Sequence, residues 1–498
     1  MLFSSTEFIF IFLPAVIISY YLIFFSVPAL QLVCGLFSRT KKGTADQKLW
    51  EYGNKISRVC QNILLLAASL FFYAYGEPSF VFVMIGSIMA NWLFALIVDK
   101  VRENKAASKT VLTVMLVANF SVMFIYKYLM FTIRTINSIS DRDFFVPSIV
   151  LPIGISFFTF QAVSYVIDVY RKNGDVQKNP MNVGLYVAFF PQLIAGPIVR
   201  YETIAEQIKN RKETIDDFSA GVCRFIIGFG KKVLIANTMA VVAEQAFKST
   251  NELTVAFAWL GIISYALQIY FDFSGYSDMA IGMGKMFGFH FLENFDYPYI
   301  SKSISEFWRR WHISLGTWFR DYVYFPLGGS RVSNKRLIWN LFIVWSLTGL
   351  WHGANFTFLL WGLLYFAFIM LEKLFGFEQK FNRLTFLKHI YVILVVILGW
   401  VLFRSDSVSY AGSYIKSMFG FNGNSFIDDK AMMFFWEYKH FYIMGILFAT
   451  PLAKWFRQKF FRYKIVKILY PVTLMLVFIV AISFIAKGMY NPFIYFNF

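Results

Sequence analysis

The chain has 498 residues, of which 58% are hydrophobic, 20% aromatic and only 15% charged, against roughly 25% charged in an average soluble domain. A water-soluble fold has too little interior to hide that much apolar side chain, which excludes a secreted, disordered or soluble nucleic-acid-binding protein. The formal charge of +18 comes from 47 Lys and Arg against 29 Asp and Glu. These basic residues fall in short gaps between apolar runs, as in the cytoplasmic loops of membrane proteins.

A helical span needs about 20 mostly apolar residues. Candidates in chain order are 8–28, 57–75, 80–98, 110–133, 149–170, 225–247, 253–275, 337–354, 356–375, 389–403, 440–453 and 468–487, about twelve in all. The first has Glu7 and no basic residue before it, so it reads as a span with its N-terminus outside rather than a cleaved signal. Segment 38–58 then carries six basic residues against two acidic, 99–109 four against two, and 454–467 six against none. Alternate gaps are balanced: 134–148 has two of each sign and 404–439 four of each. With 8–28 running inward, every strongly basic loop falls in the cytoplasm.

Residues 183–199 (VGLYVAFFPQLIAGPIV) are apolar but have basic flanks, and Pro191 and Gly196-Pro197 interrupt a straight helix. A re-entrant element lining a cavity is expected there. Region 276–336 is too polar to span. Within it Ile304, Phe307, Trp308, Trp311, Leu315, Trp318, Phe319 and Tyr322 recur at three- and four-residue steps. That spacing predicts one apolar stripe on an interfacial helix, with Arg309 and Arg310 at the polar boundary. Cys34, Cys60 and Cys223 are too scattered for a disulfide framework or metal cage and read as buried free thiols.

Two of the five histidines stand out. If its helix enters at Leu337, His352 lies about 22 Å along it at 1.5 Å per residue, beyond the bilayer centre. An ionisable group at that depth is a functional candidate by default, although an imidazole bonding a neighbouring helix fits the same position. His312, in WRRWHISLG, reads either as an interfacial histidine beside two arginines or as a second histidine of the same site. Asp272 and Asp278 lie at the cytoplasmic end of a span, suited to orienting a histidine or pairing with an arginine. Arg224, Lys231 and Lys232 with Arg309 and Arg310 suggest a basic cytoplasmic mouth for a phosphate-bearing ligand. Walker A, Rossmann, HExxH and nucleophile-elbow patterns are lacking.

FDFSGYSDMAIGMGKMFGFHFLENFDYPYISKSISEFWRRWHISLGTWFRDYVYFPLGGSR and TGLWHGANFTFLLWG resemble the membrane-bound O-acyltransferase family, and within it the bacterial alginate and cell-wall O-acetyltransferase branch. PIGISFFTFQAVSYVIDVYR and FFPQLIAGPIVRY are similar to the same branch. The resemblance implies an all-α polytopic membrane protein, with re-entrant and interfacial helices around a tunnel. It divides the chain into a catalytic core, 1–404, and a C-terminal extension with two further spans, 405–498.

The resemblance also makes His352 the active-site residue and His312 a second functional position, with Trp351, Asn355, Arg309, Arg310, Asp272 and Asp278 toward substrate. It implies acetyl-CoA as donor, no tightly bound cofactor and no metal. The bilayer, an extracytoplasmic polysaccharide and an SGNH-type acetyltransferase are the expected partners, with no nucleic acid, in the bacterial inner (plasma) membrane. D-alanyl transfer to teichoic acid, and a transporter or export channel, are the alternatives. Labelled acetyl-CoA against a charged carrier protein separates the first, and solute flux without acyl consumption the second.

Overall fold

The computed structural model describes residues 1–37, 44–248, 253–376, 385–488 and 494, and for 27–37 and 44–52 the backbone alone. Every regular element among them is helical. Nine helices among the described residues are long and apolar enough to cross a membrane: Phe8–Ser26, Gly53–Gly76, Phe80–Lys100, Lys105–Ser140, Ile215–Lys248, Val255–Met286, Phe356–Phe375, Thr385–Arg404 and Lys464–Ala486. Each overlaps one expected span. Their outer faces carry exposed Ile11, Leu22, Phe82 and Met475, side chains that water would expel and lipid accepts.

The count of twelve is not confirmed. The other three expected spans fall on Ile155–Arg171, Asn334–His352 and Asp429–Phe448. Ile155–Arg171 has 17 residues, nearly all buried, so protein rather than lipid surrounds it. Asn334–His352 opens with Lys335 and Arg336, and Asp429–Phe448 contains Lys430, Glu437 and Lys439. The thiols also differ from expectation: Cys60 is exposed and Cys223 half-buried. Cys60 lies on a candidate membrane helix, where exposure means a lipid-facing position. The side chain of Cys34 is outside the described residues.

The chain forms two compact units. The first comprises Met1–Tyr126, Ile149–Val222 and Ala280–Phe291. Ile155–Arg171 packs there against Phe80–Lys100 and Lys105–Met123. The expected break at 183–199 is present as two short helices, Pro180–Ala188 and Phe190–Leu193, with Phe189 at ψ 114° between them. Backbone freed by the break finds partners inside the unit. The Phe190 amide donates to Ser69 Oγ at 3.0 Å, Gln192 Nε2 to the Tyr186 carbonyl at 2.5 Å, and Tyr186 Oη to the Val199 carbonyl at 2.9 Å. Gly196 is obligatory, because a Cβ there would lie 2.3 Å from Gln192 Cα.

The same unit buries a charge cluster. Arg211 stacks over Phe289 at 4.4 Å and donates to Tyr20 Oη at 2.9 Å and Asn62 Oδ1 at 2.7 Å. Glu213, itself buried, pairs with Arg58 and lies 3.5 Å from Arg211. One carboxylate thus balances two guanidinium groups in a poorly solvated place.

The second unit comprises Lys127–Ser148, Cys223–Met279 and Leu292–Phe498. Its central pair is Asn334–His352 against Phe356–Phe375. Their backbones meet at glycines: a Cβ on Gly362 would lie 2.4 Å from the Trp345 carbonyl oxygen, and one on Gly349 2.5 Å from that of Phe358. Ile304–Arg310 packs on Phe356–Phe375 and Thr385–Arg404. Here the structure corrects a sequence expectation. The stripe 304–322 is not one helix but Ile304–Arg310, Ile313–Phe319 and a wide turn at Arg320–Tyr324. His312 therefore does not share a helix with Trp308.

Removing Glu213 leaves Arg58 and Arg211 uncompensated. Breaking a buried ion pair from one side costs about 3–5 kcal/mol. Glu213→Ala is expected to lower the thermal unfolding midpoint in detergent sharply. Glu202→Ala, which removes an exposed carboxylate 3.8 Å from Arg200, is expected to move it little. Equal midpoints for the two variants would contradict this.

Candidate active site

His352 is the last residue of Asn334–His352 and is 4% exposed. The helix stops there because Gly353 turns to φ −169° and Asn355 caps the next helix, its Oδ1 accepting from the Thr357 amide at 3.1 Å. A Cβ on Gly353 would meet the Phe358 ring at 2.2 Å, so the turn closes only with glycine. The imidazole sits in an aromatic shell, with ring centroids at 4.9 Å from Trp351, 4.9 Å from Trp361 and 5.2 Å from Phe403. Its Nδ1 is buried and has no hydrogen-bond partner among the described residues.

The last carbonyls of a helix have no partner within it. Here two side chains from one turn supply them. Tyr128 Oη donates to the Leu350 carbonyl at 2.8 Å, and Lys127 Nζ donates to the carbonyls of Trp351 and His352, the latter at 3.3 Å. The wide turn Phe124–Tyr128 presents both residues. Sequence reasoning missed Lys127. Its only signal was a lysine inside an apolar run, which is the signal that singled out His352.

His312 lies at the break between two short helices, with φ 46° and ψ 53°, a left-handed conformation that side chains rarely adopt. It is 2% exposed, and its ring is 4.6 Å from Phe273 and 6.0 Å from Trp351. Burial holds this imidazole below its ordinary pKa range, so it is neutral at pH 7. Asn294 pins the break, which the sequence did not reveal. Its carbonyl accepts the Ile313 amide at 2.9 Å, its Oδ1 accepts the Ser314 amide and hydroxyl at 3.1 and 2.9 Å, and its Nδ2 donates to Ser277 Oγ at 3.0 Å. Glu372 fixes the start of Ile304–Arg310 by accepting the Ile304 and Ser305 amides at 2.5 and 2.9 Å. Trp351, in contact with both imidazoles, is the group that brings His312 and His352 into one neighbourhood.

The other sequence candidates are held in internal bonds. Asp272 pairs with Lys232 at 2.7 Å and accepts the Ile494 amide at 2.9 Å. Lys232 is buried and so does not reach the cytoplasmic surface as expected; the carboxylate that pairs with it keeps it inside. Asp278 binds Arg224 at 2.6 Å and Lys231 at 2.7 Å, and Arg224 also binds Glu293. Arg310 is engaged by Asp296 at 3.0 Å and Glu306 at 2.9 Å, while Arg309 is exposed. Asn355 uses its Nδ2 on the Asp406 carbonyl at 2.9 Å, so its amide holds two segments together. The expected basic mouth is therefore largely neutralised by neighbouring carboxylates.

The sequence profile of MBOAT, the membrane-bound O-acyltransferase family, matches residues 177–413, which include both histidines. The chain is 43% identical over 365 residues to the probable alginate O-acetylase AlgI of Pseudomonas syringae pv. tomato, covering 72% of this chain and 70% of that protein. It is 33% identical over 487 residues to the peptidoglycan O-acetyltransferase of Helicobacter pylori, covering 91% and 87%. To the teichoic acid D-alanyltransferase of Bacillus subtilis it is 30% identical over 243 residues, covering 46% and 60%. Likeness of this extent, on a helical membrane protein whose buried histidine closes a packed helix pair, places the chain in the membrane-bound O-acyltransferase family.

Proposed function

We propose that the protein is a membrane O-acetyltransferase. It takes an acetyl group from acetyl-CoA on the cytoplasmic side and delivers it for O-acetylation of an extracytoplasmic polysaccharide, through an SGNH-type partner acetyltransferase. The observation that carries this reading is the His352 imidazole, buried at a rigidly held helix end, its Nδ1 without a hydrogen-bond partner among the described residues. The two O-acetylating relatives match over 70% and 87% of their lengths and the D-alanyltransferase over 60%, which favours acetyl over D-alanyl transfer. The loop charge pattern supports a plasma-membrane location with the donor side in the cytoplasm.

The chemistry needs no metal, because a thioester is already activated. The His352 imidazole, with its buried Nδ1, supplies the base. His352 takes the proton of the acceptor hydroxyl as its oxygen attacks the thioester carbonyl. The tetrahedral adduct then collapses, the carbon–sulfur bond breaks, and the departing thiolate takes the proton back from His352. Trp351, Trp361 and Phe403 keep water from the thioester. Lys127 is a positioning residue: it holds the carbonyls that set the direction of the His352 side chain.

Removing a general base costs ~10²–10⁴-fold in rate. His352→Ala is expected to remain folded and membrane-inserted while its acetyl transfer from labelled acetyl-CoA nearly vanishes. Normal transfer by that variant would reject the reading.

Lys127→Met frees two helix-end carbonyls, and a displacement of about 1 Å at a reacting group costs about 10²-fold. The variant is expected to lose kcat with little change in KM for acetyl-CoA, and Lys127→Arg to recover part of the loss. A KM effect alone would assign Lys127 to donor binding instead.

A further inference from the structure

We propose that residues 452–467 form a docking surface for the anionic phospholipid headgroups of the cytoplasmic leaflet. Helix Leu452–Phe460 joins Asp429–Phe448 to the candidate span Lys464–Ala486. Its 9 residues reach about 13 Å at 1.5 Å per residue, under half of a hydrocarbon core about 30 Å thick. The chain leaves the helical path on either side of it, at Pro451 and at Tyr463 with ψ 132°. The loop charges put this segment on the cytoplasmic side.

The helix is two-sided. At about 100° per residue, Leu452, Trp455, Phe456 and Phe460 share one side, and Lys454, Arg457 and Gln458 the other. No residue of the helix is buried, and Leu452, Trp455 and Phe456 are half exposed. The apolar side is thus open among the described residues, at the depth where a bilayer surface begins. Lys459 stands over the rings of Trp455 and Phe460, at 5.0 and 5.6 Å, and Arg457 over that of Phe461 at 5.4 Å. Rings that settle at the headgroup level carry these cations to the phosphates.

Charge decides the occupant. Arg58, Arg224, Lys231, Lys232 and Arg310 are each paired with a carboxylate. Segment 454–467 carries six basic residues, and no Asp or Glu occurs from 438 to 498. All six are exposed, and none forms an ion pair with a carboxylate among the described residues. The positive charge left over after internal pairing is therefore concentrated here. A basic cluster immediately cytoplasmic of a span is drawn to anionic headgroups. An acidic protein would answer the cations and leave the apolar side bare, whereas a bilayer surface answers both.

The test uses the full-length protein in nanodiscs of phosphatidylcholine, alone or mixed equally with phosphatidylglycerol. Amide hydrogen exchange of residues 452–463 is the readout. Each basic residue at an anionic surface strengthens binding about fivefold, so exchange is expected to slow by about tenfold or more in the anionic discs. The slowing should disappear at about 1 M salt, where the screening length falls to about 3 Å; that arm needs no variant. It should also disappear in the triple variant Lys454→Gln, Arg457→Gln, Lys459→Gln, whose exposed positions leave the unfolding midpoint unchanged. Equal exchange in the two lipids overturns the surface, as does slowing that survives salt or the triple variant. Slowing in phosphatidylcholine discs on addition of coenzyme A also overturns it, because the cations would then serve the donor.

Discussion

Leu350, Trp351 and His352 end a helix, and their carbonyls have no partner within it. Lys127 and Tyr128 supply those partners from a wide turn far away in sequence. In water such carbonyls would be solvated at little cost. Inside a membrane protein each unpaired group costs several kcal/mol, so the helix end cannot drift from these donors. The direction of the His352 side chain follows from that constraint, as does the close approach of Gly349 and Gly362 that seats the next helix behind it. Trp361 on that next helix, with Phe403 beyond it, closes the shell around the imidazole.

Buried charges elsewhere obey the same economy. Lys232 with Asp272, Asp278 with Arg224 and Lys231, and Arg211 with Glu213 are each answered by an opposite sign within hydrogen-bond or ion-pair reach. Such groups hold helices in register, and they leave less free positive charge than the composition suggests. A reading of +18 as a basic ligand mouth overlooks this pairing.

His312 shows what periodicity conceals. The stripe from Ile304 to Tyr322 is apolar at helical steps, and most of it is buried as that pattern implies. Yet the helix breaks at Trp311 and His312, because Asn294 offers a carbonyl and a side-chain oxygen to the amides just beyond. Side-chain spacing records which faces are apolar. It does not record a competing hydrogen-bond partner arriving from another segment.

Much was legible without a structure. Nine helical spans, the break around Pro191 and Gly196, and the isolation of His352 in apolar surroundings follow from local composition, since bilayer thickness and the cost of burying charge act on short stretches of chain. The motifs around His312 and His352 likewise pointed to the family. Three things were decided only by tertiary contact: that Ile155–Arg171 is enclosed by protein, that Lys127 and Asn294 hold the two histidine-bearing turns, and that carboxylates neutralise Arg224, Lys231 and Lys232. Each depends on which distant groups meet, and the satisfaction of buried polar atoms, which selects those meetings, leaves no periodic trace in the chain.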